Sequence, residues 1–149
     1  MTNPADSPAR HSHIIARCAG LKPALTAVVH PCDSASLSAA VEAANAGLIV
    51  PILVGPEAKI RTVAAEAALD VARFKLVPVP HSHAAAAEAV AMAGRGEVEA
   101  LMKGSLHTDE LMHEVVGSPD MATGRRISHC YLFDVAAYPR PLFITDAAI

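Results

Sequence analysis

At 149 residues the chain has room for one domain, burying about two-thirds of the surface its unfolded form exposes. A composition of 52% apolar and 18% charged residues excludes extended disorder outside the polar start MTNPADSPARHSH, and a net charge of −3 with no Lys/Arg block or aromatic platform excludes nucleic acid as a main partner. No apolar run approaches the roughly 20 residues that span a bilayer, no basic-then-apolar leader opens the chain, and Cys18, Cys32 and Cys130 are unpatterned, so a soluble cytoplasmic protein with reduced thiols and no membrane partner is expected.

Beyond the start, short β-branched runs alternate with Ala-rich helical stretches, the order that builds a parallel sheet covered by helices. ALTAVVH at 24–30 reads as the first strand. In PCDSASL, Asp33 or Ser34 caps a helix whose Leu37, Val41 and Ala44 share a face and which Gly47 ends. LIVPILVG at 48–55 is the second strand; Pro51 has no N–H for the ladder, so regular pairing is expected to begin about there. Pro56 opens a helix with Ile60, Val63, Ala64 and Ala67 in one stripe. FKLVPV at 74–79 is the third strand, Ser82 is the expected cap of an Ala-rich helix to about Arg95, EALMKG is the fourth strand, and a further helix starts near Thr108. ISHCYLFDV at 127–135 and PLFITDAAI at 141–149 are joined by AYPRP, too short for a parallel crossover, so they pair antiparallel or diverge. The sequence stops inside the apolar run DAAI: either Ile149 closes a small sheet or a longer chain continues.

The stretch KGSLHTDELM falls where a parallel sheet collects its ligands, at the carboxyl end of a strand beside the N-terminus of the next helix. Gly104 lets backbone approach closely, Ser105 and Thr108 offer hydroxyls, Lys103 offers a positive charge, and the first helical N–H groups point outward, a set suited to phosphate. Asp109 and Glu110 already complement the helix dipole and oppose a second anion on that axis. A capped helix after a glycine turn is therefore the competing reading.

LMKGSLHTDELM, followed by RRISHCYLFDV and YPRPLFITDAAI, with AGLIVPILVGP and VVHPCD before them, resembles the phosphate acetyltransferase and phosphate butyryltransferase family from about residue 13 to the last residue. It looks most like the acyltransferase half of bifunctional enoyl-CoA hydratase/phosphate acetyltransferase proteins. The resemblance implies an α/β three-layer fold with a mostly parallel sheet, the first domain of the phosphate acyltransferase (isocitrate/isopropylmalate dehydrogenase-like) fold. It implies the reaction acyl-CoA plus phosphate giving acyl phosphate plus coenzyme A, with the coenzyme A thioester as substrate and no further cofactor. Family members are longer: the run resembling TDAAI continues in them into a second domain, and the arginine, serine and aspartate assigned to phosphate binding and thiol activation lie largely beyond it. The resemblance thus implies a flexible segment over 1–12 and, over 13–149, an N-terminal domain forming one wall of an interdomain cleft and nearly inactive alone. On that wall Lys103 and His107 are the catalytic candidates, and Gly104, Ser105, Thr108, Arg126 and Asp146 the substrate-binding ones.

Each candidate has a plainer reading beside it. Arg125 and Arg126 reach a coenzyme A phosphate or form a solvated pair at the start of a strand. Asp146 lines the cleft or makes a turn hydrogen bond. Cys32 stands beside Asp33, which raises rather than lowers a thiol pKa, so it is not read as a nucleophile. The eight histidines include no pair at i, i+4 and no accompanying CxxC, so no metal site is expected. His11 and His13 are expected in solvent, His83 in the first turn of its helix, and His129 packed on the face of Tyr131 and Phe133. A half fold ending in an apolar strand exposes surface that associates, which predicts a homo-oligomer. A non-catalytic ligand-binding or interaction domain of the same fold is the alternative function; a nicotinamide-dependent dehydrogenase is disfavoured because VVHPCD, not GxGxxG, follows the first strand.

Overall fold

Four apolar runs form one parallel sheet, in the order β3-β2-β1-β4: β1 (Ala24–Val29), β2 (Ile49–Gly55), β3 (Lys75–Pro78) and β4 (Ala100–Lys103). The computed structural model describes residues 7–135, 137, 138 and 140–146. Its helices are α1 (Ser7–Arg17), α2 (Ser34–Asn45), α3 (Glu57–Glu66), α4 (Ser82–Gly94) and α5 (Thr108–Gly117).

The alternation of side chains along β1 and β2 sorts the helices into two layers. Val28 and Leu53 point to one face, where they pack with Leu37 and Ala40 of α2 and Ile60 and Ala64 of α3. Ala27, Val29, Ile52 and Val54 point to the other, against Ala85, Ala86 and Ala89 of α4 and Leu111 of α5. The alanines let α4 lie close on the sheet, and Leu37, Leu53, Ile60 and Met92 are fully buried, each worth about 1.5–3 kcal/mol by transfer from water. The three-layer α/β architecture anticipated from the sequence is present.

Local details differ from the sequence reading. Pairing of β2 with β1 begins at Ile49, ahead of Pro51, because β3 joins the other side only from Ile52, leaving no ladder bond there for the missing N–H. His81, not Ser82, is the N-cap of α4: its Nδ1 accepts from the Ala84 N–H at 3.2 Å, and Ser82 is the first helical residue. Asp33 caps α2 by accepting from Ser36 N–H at 2.7 Å. Gly47, at φ +70°, supplies the left-handed turn that leaves this helix.

The sheet and its helices make one compact unit, Lys22–Thr123; the chain before Lys22 and after Thr123 makes a second. Helix α1 begins at Ser7, and the final strands form a sheet of their own. Those strands, β5 (Cys130–Phe133) and β6 (Leu142–Thr145), pair antiparallel with each other, Tyr131 opposite Ile144. His129 stacks on Tyr131 at 5.8 Å, yet both rings stay exposed. The run DAAI lies outside the described residues beyond Asp146.

Candidate functional site

Two connections meet at the carboxyl edge of the sheet between its neighbours β1 and β4. The connection after β1 leads to α2 on one face and the one after β4 leads to α5 on the other, so their loops part at the point where the strand order reverses. In open α/β sheets a crevice at this position is the ordinary ligand site.

A tight bond network joins the two loops at this switch point. Gly104 N–H donates to Val29 O at 2.9 Å, Ser105 N–H to His30 O at 2.9 Å, and Ser105 Oγ to the same carbonyl at 2.8 Å. Cys32 N–H donates to Ser105 Oγ at 3.0 Å, and His30 Nδ1 donates to Ser105 O at 3.0 Å. A Cβ on Gly104 would lie 2.4 Å from Val29 O and 2.7 Å from His30 O. The backbone that approaches Gly104 so closely is therefore the protein's own, where the sequence suggested a ligand's approach. Ser105 likewise spends its hydroxyl on the two loops.

Beside this join stand exposed groups left free for chemistry. Lys103 is exposed, its Nζ 3.3 Å from Gly104 O, and its charge helps to depress the Asp33 carboxyl, whose pKa is lowered chiefly by the Ser36 N–H. His107 is the exposed N-cap of α5, and no side chain caps the N–H groups of that helix's first turn; Thr108 is its exposed first residue. Glu110 in that turn is held below the ordinary glutamate pKa, first by the Ser82 hydroxyl and then by nearby His83 and the His107 N–H. Its charge opposes an anion on the α5 axis but leaves the Lys103 side of the crevice cationic.

The structure thus brings Lys103, Gly104, Ser105, His107 and Thr108 together. Arg126 and Asp146 belong to the other compact unit. Arg126 is exposed ahead of β5, and Asp146, at φ +55°, bonds through Oδ1 to the Ser128 hydroxyl and donates its N–H to the same oxygen at 3.2 Å. The bond joins residues 18 apart at the open end of the β5–β6 hairpin, so it is not the local turn bond weighed against cleft lining for this residue.

The sequence gives no role to His30, which lies in the VVHPCD run and whose backbone sits at φ +53°. On the α2–α3 side, Cys32 adjoins a groove of about 340 Å³ shared with Asp33, Ser34 and Glu66. Burial raises the Cys32 thiol pKa, Lys59 pulls against that rise, and Asp33 adds a smaller push upward. Among the described residues no three His, Cys, Asp or Glu side chains form a metal-holding group, and no helix is long and apolar enough to cross a membrane.

No family model matches the chain. Individual proteins do. It is 59% identical over 143 residues to a phosphate acetyltransferase of Rhizobium meliloti, covering 95% of this chain and 45% of that protein. A phosphate acetyltransferase of Rickettsia felis is 49% identical, with 97% of this chain and 42% of the relative covered, and a phosphate butyryltransferase of Clostridium beijerinckii is 30% identical, with 78% and 39% covered. The fold matches that of the EutD phosphotransacetylase from Staphylococcus aureus with a TM-score of 0.66 at 14% identity, over all of this chain and 52% of that one. The chain spans less than half the length of the curated relatives it matches. Over that span it belongs to the family of phosphate acetyltransferases and phosphate butyryltransferases.

Proposed function

We propose that this chain supplies one wall of a phosphate acyltransferase site, which interconverts acyl-CoA plus phosphate with acyl phosphate plus coenzyme A. The observation that carries the reading is the 59% identity to a protein named phosphate acetyltransferase over 95% of the chain. The crevice between β1 and β4 agrees with it chemically. Lys103 gives a cation for a phosphate oxygen, and His107 and the uncapped N–H groups of α5 give donors on the same rim.

One wall does not complete the reaction. Transfer between thioester and phosphate needs two anionic substrates in register, and orientation supplies roughly 7–11 kcal/mol of such a barrier. The rest of the cleft is assigned to the portion of the longer relatives that this chain does not match. Arg126 and Asp146 are further substrate-binding candidates on the second compact unit, and the protein works in the cytoplasm as a homo-oligomer.

The test is release of free thiol from acetyl-CoA or butyryl-CoA in the presence of phosphate or arsenate. These residues alone are expected to release none above background. Full turnover by them would mean that they, or a second copy, supply every group needed, and the one-wall reading would be abandoned.

A further inference from the structure

The network that joins the two loops converges on one residue. His30 O accepts from three donors, Ser105 N–H at 2.9 Å, Ser105 Oγ at 2.8 Å and Cys32 N–H at 2.8 Å, while His30 N–H donates to Val54 O at 2.7 Å. Gly104 cannot carry a Cβ because the His30 carbonyl carbon and oxygen would lie 2.8 and 2.7 Å from it. All of this holds a histidine at φ +53°, a backbone region that few side-chain-bearing residues occupy, and does so immediately before Pro31, which restricts the preceding residue further. Such constraint in a non-glycine residue gathers at functional sites.

The imidazole is fixed as well. Nδ1 lies 3.0 Å from the Ser105 carbonyl, which can only accept, so Nδ1 carries the proton of the neutral ring and the lone pair is on Nε2. Among the described residues Nε2 has no hydrogen-bond partner, and it is not one of the enclosed polar atoms that lack one.

We propose that His30 is a substrate-contacting residue of this crevice, its Nε2 accepting a hydrogen bond from the proton-bearing atom of the substrate. That atom is the thiol of coenzyme A in one direction and the hydroxyl oxygen of monohydrogen phosphate in the other. The identity of these substrates rests on the acyltransferase reading; the constraint on His30 does not.

The experiment is imidazole ¹⁵N NMR on the whole chain, titrated separately with coenzyme A and with inorganic phosphate. The free protein is expected to show the Nδ1–H tautomer for His30, and at least one probe to move its Nε2 resonance. His30→Asn keeps a donor for the Ser105 carbonyl and tolerates positive φ, so the amide resonances of Gly104 and Ser105 should stay in place while binding of that probe weakens about five- to tenfold. An Nε2–H tautomer, a bound probe that leaves Nε2 unmoved, or unchanged affinity in His30→Asn overturns the proposal alone. If neither probe moves any resonance of the chain, both the proposal and the acyltransferase reading of the crevice fall.

Discussion

Replacing Gly104 with alanine probes the join between the two loops directly. The new methyl would sit 2.4 Å from Val29 O, 2.7 Å from His30 O and 2.8 Å from the His30 carbonyl carbon, where ordinary contact begins at 3.4 Å. The neighbours are backbone atoms of a central strand and its loop, and no side chain can swing aside. Relief requires the connection after β4 to move away from β1 by about 1 Å, which stretches the five hydrogen bonds between them. Overpacking costs about 1–3 kcal/mol, and two or three weakened hydrogen bonds add about 1 kcal/mol each, giving roughly 3–6 kcal/mol out of a typical 5–15. Urea unfolding followed by circular dichroism should show the midpoint fall at unchanged slope, and thermal unfolding should drop by roughly 10 °C. Gly117→Ala is the control: nothing lies within 4 Å of its Cβ position, and alanine in that last helical position is neutral or stabilising by up to about 1 kcal/mol. Gly104→Ala within about 0.5 kcal/mol of the parent protein would refute the packing described here.

Ser105→Ala removes the hydroxyl shared by His30 O and Cys32 N–H and should cost about 1–3 kcal/mol in the same urea assay. Asp33→Ala should cost about 1 kcal/mol at neutral pH through loss of the α2 cap. Because the folded-state pKa of Asp33 lies below its unfolded value, that contribution is present above the unfolded pKa and lost as pH falls through the folded one; the parent and variant unfolding curves should therefore converge in acid. Cys32, its thiol pKa raised by burial, should be alkylated by iodoacetamide more slowly at neutral pH than exposed Cys130, and Lys59→Ala should slow it further, both read by peptide mass spectrometry. Sedimentation should find a dimer or larger assembly, because Tyr131, Leu132, Phe133, Phe143 and Ile144 of the β5–β6 hairpin all stand exposed; a clean monomer at high concentration would count against that.

The strands and helices of the main sheet were legible because the strands are short, β-branched apolar runs buried on both faces and α3 repeats its apolar residues near every four. Their order in space was not, since it depends on the crossover through α4 that returns the chain to the far side of β1. Gly104 was read as the point where a ligand approaches backbone closely, but the close atoms belong to Val29 and His30, far back in the sequence, and no local pattern names them. His30, though inside VVHPCD, received no role for the same reason: the bond that orients its ring reaches Ser105, 75 residues away. His81 took the cap that propensity gives to Ser82, because the imidazole nitrogen reaches the Ala84 N–H equally well. Arg126 and Asp146 carried no local sign that they would fall in a separate unit from Lys103.

The most direct test of the acyltransferase reading is a chimera in which this chain replaces the 143 matching residues of the Rhizobium meliloti relative. Thiol release from acetyl-CoA with phosphate would be measured beside the parent relative. The account predicts an active chimera in which Lys103→Ala or His107→Ala lowers kcat/KM without lowering Tm, because both side chains are exposed at the crevice and neither packs in the core. A folded chimera with no activity, or one indifferent to both substitutions, would contradict it.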